Sequence, residues 1–76
     1  MTYQHYPKQF DSFEEALAYL KSTGKLQRFG VEGDSHVYNF HANTGKYYHM
    51  LISNSGLIRY VEMSPMQYAY WREQGF

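Results

Sequence analysis

The side chains here that could do chemistry are four histidines, one acid–hydroxyl–imidazole run and an unusual number of tyrosines. A zinc site takes three protein ligands when catalytic and four when structural. His41 and His49 are eight residues apart, across a turn signal at Asn43–Gly45. On paired strands they share a face, roughly 7–8 Å apart on the diagonal. Asn39 and Tyr47 stand opposite them, and no Cys, Asp or Glu on that face completes a ligand set. No metal and no cofactor is therefore expected. Asp34, Ser35 and His36 supply the types of a nucleophile, a base and an orienting group. Neighbours on a strand point to opposite faces, however, so the three do not converge. Asp34 and Ser35 serve better as turn residues. Glu62 lies at a strand end, where a carboxylate is ordinarily solvated. The glycines are isolated turn residues rather than a phosphate-cradling loop. The chain is not expected to be an enzyme.

The aromatic residues support a binding role instead. Nine Tyr, five Phe and one Trp stand in 76 residues. Tyr and Trp are enriched at protein-binding hot spots, and Tyr68, Trp71, Tyr47 and Arg59 are the expected exposed contact residues. A different use of aromatics is stacking on single-stranded nucleic acid, for which Arg28, His41, Tyr47, His49 and Arg59 are the candidates. Seven Lys and Arg balance seven Asp and Glu. Phosphate binding draws its affinity from excess basic charge, so nucleic acid is an unlikely partner on composition. Zero net charge also removes self-repulsion, which favours pairing with a second copy.

These residues need a scaffold. A chain this short buries only about 60% of its unfolded surface, and it has no cysteine to add disulfides. Absence of cysteine fits a reducing compartment, and cytoplasmic localisation is expected. No apolar run approaches a membrane span, and MTYQHYPKQF lacks the apolar stretch of a signal peptide. Residues 1–10 are irregular or hold one short edge strand. Ser12 and Glu15 then form a capping-box pattern, followed by Phe13, Ala16, Leu17 and Leu20 on one helical stripe. Gly24 suits a C′ position.

Four strands follow, Lys25–Val31, His36–His41, Lys46–Ile52 and Leu57–Met63, joined by turns of hairpin length. A two-residue loop at Gly33–Asp34 pairs Val31 with His36 and Phe29 with Tyr38. Three-residue loops ending at Gly45 and Gly56 pair Phe40 with Tyr48, Tyr38 with Met50, Ile52 with Ile58 and Met50 with Tyr60. If the third loop has two residues, Leu57 and Val61 change face. With three-residue loops the first face carries Gln27, Phe29, Val31, His36, Tyr38, Phe40, Tyr48, Met50, Ile52, Ile58, Tyr60 and Glu62. The second carries Leu26, Arg28, Gly30, Val37, Asn39, His41, Tyr47, His49, Leu51, Arg59, Val61 and Met63. Leu17, Leu20, Phe29, Tyr38, Phe40, Met50 and Ile58 form the expected core.

Ser64–Pro65 opens a second helix as cap and N1 proline. Met66, Ala69 and Tyr70 form one stripe, while Tyr68 and Trp71 project elsewhere. Either those two rings meet a partner, or Trp71 caps the sheet edge or packs on the N-terminal aromatics. The predicted fold is α+β: helix, four-stranded antiparallel meander, C-terminal helix, in one small domain. The segment RYVEMSPMQY resembles the strand-to-helix joint of small KTSC domains, in which a tyrosine precedes a proline at the helix start and another follows. The Lys-Thr-Ser-Cys residues that name that family are not in the chain, and no function is carried over from it. In size, neutrality and aromatic richness the chain is similar to small phage-encoded inhibitors of bacterial enzymes. The expected function is a non-enzymatic protein-binding module, an inhibitor or accessory protein. A weak single-strand-binding sheet is the alternative.

Overall fold

The computed structural model describes residues 2–76. The elements run β1 (Gln4–His5), α1 (Phe13–Thr23), β2 (Gly24–Glu32), β3 (Ser35–Ala42), β4 (Tyr47–Ser53), β5 (Ile58–Glu62) and α2 (Pro65–Glu73). The strands form one antiparallel sheet in the order β1-β5-β4-β3-β2. The predicted four-stranded meander is present, and β1 adds a fifth strand by pairing Gln4 with Tyr60 and His5 with Arg59. Pro7 follows one residue later, after the Tyr6 N–H bonds the Ile58 carbonyl, and its missing N–H suits an edge that ends there.

Local chemistry starts both helices. Ser12 Oγ accepts from the Glu15 N–H at 3.2 Å, and Glu14 and Glu15 lie at the positive end of the α1 dipole. At α2 the capping box is reciprocal: Ser64 accepts from the Gln67 N–H, and the Gln67 side chain accepts from the Ser64 N–H. Gly24 does not take the left-handed conformation expected of a C′ residue. Its backbone is extended and leads from α1 straight into β2. A side chain there would run into the His41 carbonyl and the Phe40 ring. The close strand approach, not the helix stop, makes Gly24 necessary.

The β3–β4 and β4–β5 registers match the sequence reading, including the three-residue third loop: Phe40 pairs with Tyr48, Met50 with Tyr60 and Ile52 with Ile58. The β2–β3 register matches only near its turn. Val31 pairs with His36 and Gly30 with Val37, but Arg28 pairs with Tyr38 and Leu26 with Phe40. Phe29 is the extra residue of a β-bulge. One inserted residue reverses the facing of every side chain beyond it. Leu26 and Arg28 therefore belong to the first face, and Gln27 moves to the second. Leu26 packs on the core. Phe29, expected in the core, is 65% exposed.

The main core lies between α1 and the first face. Ala16 and Leu20 of α1 meet Phe10, Phe40, Met50, Ile52 and Ile58, with Leu17, Tyr38 and Tyr60 packed at the margin. The remaining predicted core residues hold their places. α2 crosses the second face, over a smaller buried set of Asn39, Tyr47, Leu51 and Met63.

Candidate interaction surface

The second sheet face presents Tyr47 beside His41, with the two rings stacked at 4.0 Å and 7°. Tyr68 of α2 stacks on the other side of Tyr47 at 5.7 Å. Phe76 closes against both Tyr47 and His41, and the Tyr47 hydroxyl donates to the Phe76 main-chain oxygen at 2.9 Å. Tyr47 is only 5% exposed, so it is not the exposed residue expected. Its two faces are both covered because α2 needs flat apolar surface to dock on, and this ring supplies it. Tyr68, Trp71 and Arg59 are half-buried. The Arg72 guanidinium lies 5.9 Å from the Tyr68 ring centre, on the outer side of the helix.

This docking turns α2 by about one residue position from the expected stripe. Tyr68 and Trp71 face the sheet, and Met66 and Tyr70 face out at 84% and 55% exposure. Two large rings bury more apolar area than a thioether and one phenol, and burial scales with area. Trp71 also finds a partner that only the bulge provides. Phe29, turned onto the second face, meets it edge to face at 6.0 Å. Tyr70 meets Trp71 at 5.0 Å. Phe29, Trp71 and Tyr70 thus form a continuous aromatic ridge from the edge strand to the outer side of α2. Met66 on α2 and Val31 on β2 are the other large exposed apolar side chains. Next to the ridge a shallow groove of about 490 Å³ runs over Gly30, Val37 and His49 toward Tyr3. Its floor opens at Gly30, where a side chain would meet no other atom within 4 Å.

Phe29 is the residue that the pattern of apolar spacing misplaces. A signal for it exists: an isolated glycine inside a strand, Gly30, marks a bulge or a close approach.

The residues proposed for other chemistry are dispersed. His36 Nε2 lies 3.0 Å from Asn54 Oδ1, and its ring packs on Phe13 of α1 at 4.4 Å. It joins helix to sheet on the first face, while Ser35 is its neighbour on the strand and is buried. Asp34 sits in the turn, and its carbonyl accepts from the Asn54 N–H. Among the described residues no three His, Cys, Asp or Glu side chains come together. Of the nucleic-acid candidates, His41, Tyr47, His49 and Arg59 share the second face, but the bulge puts Arg28 on the other. The best stacking ring, Tyr47, is already occupied on both sides. No described helix is long and apolar enough to cross a membrane.

No protein-family model matches the chain, and neither does any curated protein or solved structure. The likeness of residues 59–68 to the KTSC joint therefore rests on that segment alone.

A second aromatic cluster lies at the first-face end of β1. Tyr6 donates to the Tyr19 hydroxyl at 3.1 Å and meets the Tyr60 ring edge to face. The hydrogen bond to Tyr19 first, then burial and the nearness of Tyr19 and Tyr60, push the Tyr6 phenol up to about 12 from an ordinary 10.0. The folded chain keeps this proton where the unfolded chain has lost it. Stability from this group is therefore complete below about pH 10 and is lost as pH rises toward 12. Alkaline denaturation should show a falling limb in that window, and Tyr6→Phe should flatten it. An unchanged limb in Tyr6→Phe would assign the loss to other groups.

Proposed function

We propose that the protein works by direct contact with another protein, without catalysis, as an inhibitor or accessory factor. The supporting observation is the Phe29–Trp71–Tyr70 ridge with exposed Met66 one helical turn from Tyr70 at its flank. Singly scattered apolar side chains are normal on a surface. This set is contiguous, spans two elements, and contains the residue types that dominate binding energy. It carries few charges, so recognition rests on short-range apolar contact rather than on long-range attraction. The non-enzymatic reading draws on the dispersal of Asp34, Ser35 and His36 and on the stacking of His41 against Tyr47.

The test is site-specific photo-crosslinking in extract of the source organism. A photoreactive phenylalanine analogue at Tyr70 should give one discrete protein adduct. The same group at Ala18, on the outer side of α1, should give none. Phe29→Asp should abolish the Tyr70 adduct, and raised salt should leave it intact, whereas phosphate contacts weaken steeply with salt. Diffuse labelling from both sites, or none from Tyr70, rejects the ridge as an interface.

A further inference from the structure

We infer that a second copy of this chain pairs with it along β2, forming one continuous antiparallel sheet across a two-fold axis between Arg28 and Phe29. This deepens the proposal above and rests on its reading of the β2–α2 surface as an interface. The sheet has two edges. β1 covers one with two residues; the other is the nine-residue β2. A long strand edge carrying exposed Phe29 and Val31 is a template for another strand.

The hydrogen-bond phase shows which β2 groups are free to pair. The Ala42 N–H bonds the Lys46 carbonyl at 2.8 Å. Main-chain groups alternate in direction along an antiparallel strand. Ala42, Phe40, Tyr38 and His36 therefore turn toward β4, and His41, Asn39, Val37 and Ser35 turn toward β2. Their partners are Lys25, Gln27, Gly30 and Glu32. Leu26, Arg28 and Val31 are left with N–H and C=O aimed past the edge, and Leu26 and Val31 stand on either side of the bulge.

Leu26 and Val31 are five residues apart, which in a regular strand would point their main-chain groups in opposite directions. The bulge at Phe29 brings them into the same phase and onto the same face. In a two-fold antiparallel ladder Leu26 then bonds the partner's Val31, and Val31 the partner's Leu26. Both copies carry the extra residue at the axis, so the register is kept at both ends. The next pair outward sets Lys25 against the partner's Glu32, again twice. Both lie on the second face, because Lys25 pairs with His41 and Glu32 with Ser35. Both are exposed in the single chain. Bulges and charges commonly blunt a strand edge; here they are self-complementary. Pairing also brings the two Phe29 rings to either side of the axis, with the two Arg28 side chains near it on the opposite face, and the overall net charge of zero adds no long-range repulsion.

Sedimentation equilibrium of the full chain tests this. The wild type should be dimeric at about 100 μM, a concentration that detects dissociation constants in the micromolar range. Lys25→Glu and Glu32→Lys each place two like-charged pairs across the ladder, and each should weaken association by about tenfold or more. The double variant restores opposite charges and should associate like the wild type. Both positions are exposed, so the variants should fold, and their thermal melts check it. Hydrogen exchange should show Leu26 and Val31 amides more protected at higher concentration in the wild type and the double variant only. A monomeric wild type, or a double variant no tighter than the single ones, overturns the pairing. A monomeric wild type that still forms a Tyr70 adduct with a different protein overturns the pairing alone. Loss of both signals overturns the interface as well.

Discussion

Phe40→Ala should lower stability by about 3–5 kcal/mol, the usual cost of removing a buried aromatic ring. A chain of this length holds only about 4–11 kcal/mol in total, so the variant should be largely unfolded at room temperature. Phe40 sits at the centre of the first face, with Leu26 and Tyr48 as its cross-strand partners. Its ring meets Tyr48 at 6.3 Å and closes over Gly24. It also lines a hollow of about 170 Å³ under Leu20, Met50 and Tyr60. Truncation enlarges that hollow rather than letting the walls collapse, because α1 and three strands fix them. Phe29→Ala is the informative control. Phe29 is as large, but it is exposed and touches only the outer layer, so its loss should cost no more than about 1 kcal/mol. Urea denaturation followed by circular dichroism separates the two. Equal losses would mean that the bulge, and with it the assignment of faces in β2, is wrong.

Gly56→Ala should cost about 2–6 kcal/mol, from two sources that add. Gly56 has φ of 95°, a region that costs other residues roughly 1–3 kcal/mol. A side chain there would also strike the Phe10 carbonyl, with the Ser12 oxygen at 2.9 Å beside it. Overpacking of this kind costs a further 1–3 kcal/mol or so. The β4–β5 turn and the residues that lead into α1 are in contact at this point, and the Phe10 N–H bonds the Gly56 carbonyl at 3.2 Å. Pushing them apart loosens the Phe10 anchor and the Ser12 cap together. Gly45→Ala isolates the backbone contribution: its φ is 101°, yet a side chain would meet nothing within 4 Å. Gly45→Ala should therefore melt well above Gly56→Ala. Matching melting points would show that the close approach of Phe10 carries no weight.

Much of this architecture is readable in the residues because it rests on local rules. The caps at Ser12 and Ser64 follow from hydroxyls placed ahead of apolar stripes. The β3–β4 and β4–β5 registers follow from loop length, since Asn43–Gly45 and Asn54–Gly56 each leave one pairing that keeps Phe40, Met50, Ile52 and Ile58 on one side. The β2 register does not follow, because a bulge inserts a residue without any change in loop length. Only the glycine after Phe29 hints at it.

The sequence by itself determined the order of the two helices and the four meander strands, the core stripe of α1 and a surface without net charge, all set by neighbours in the chain and by period. The edge strand β1 comes from the tertiary fold. Tertiary structure alone decided three further things. It chose which side of α2 meets the sheet, because Tyr68 and Trp71 gain stacking partners that Met66 and Tyr70 would not. It drew Tyr47 inside between His41 and Tyr68, although nothing near Tyr47 in the chain marks it as buried. It turned Phe29 outward onto Trp71, through a bulge whose effect appears only when β2 is laid against β3. Each depends on residues far apart in the chain competing for the same limited apolar area, and no local pattern encodes the outcome of that competition.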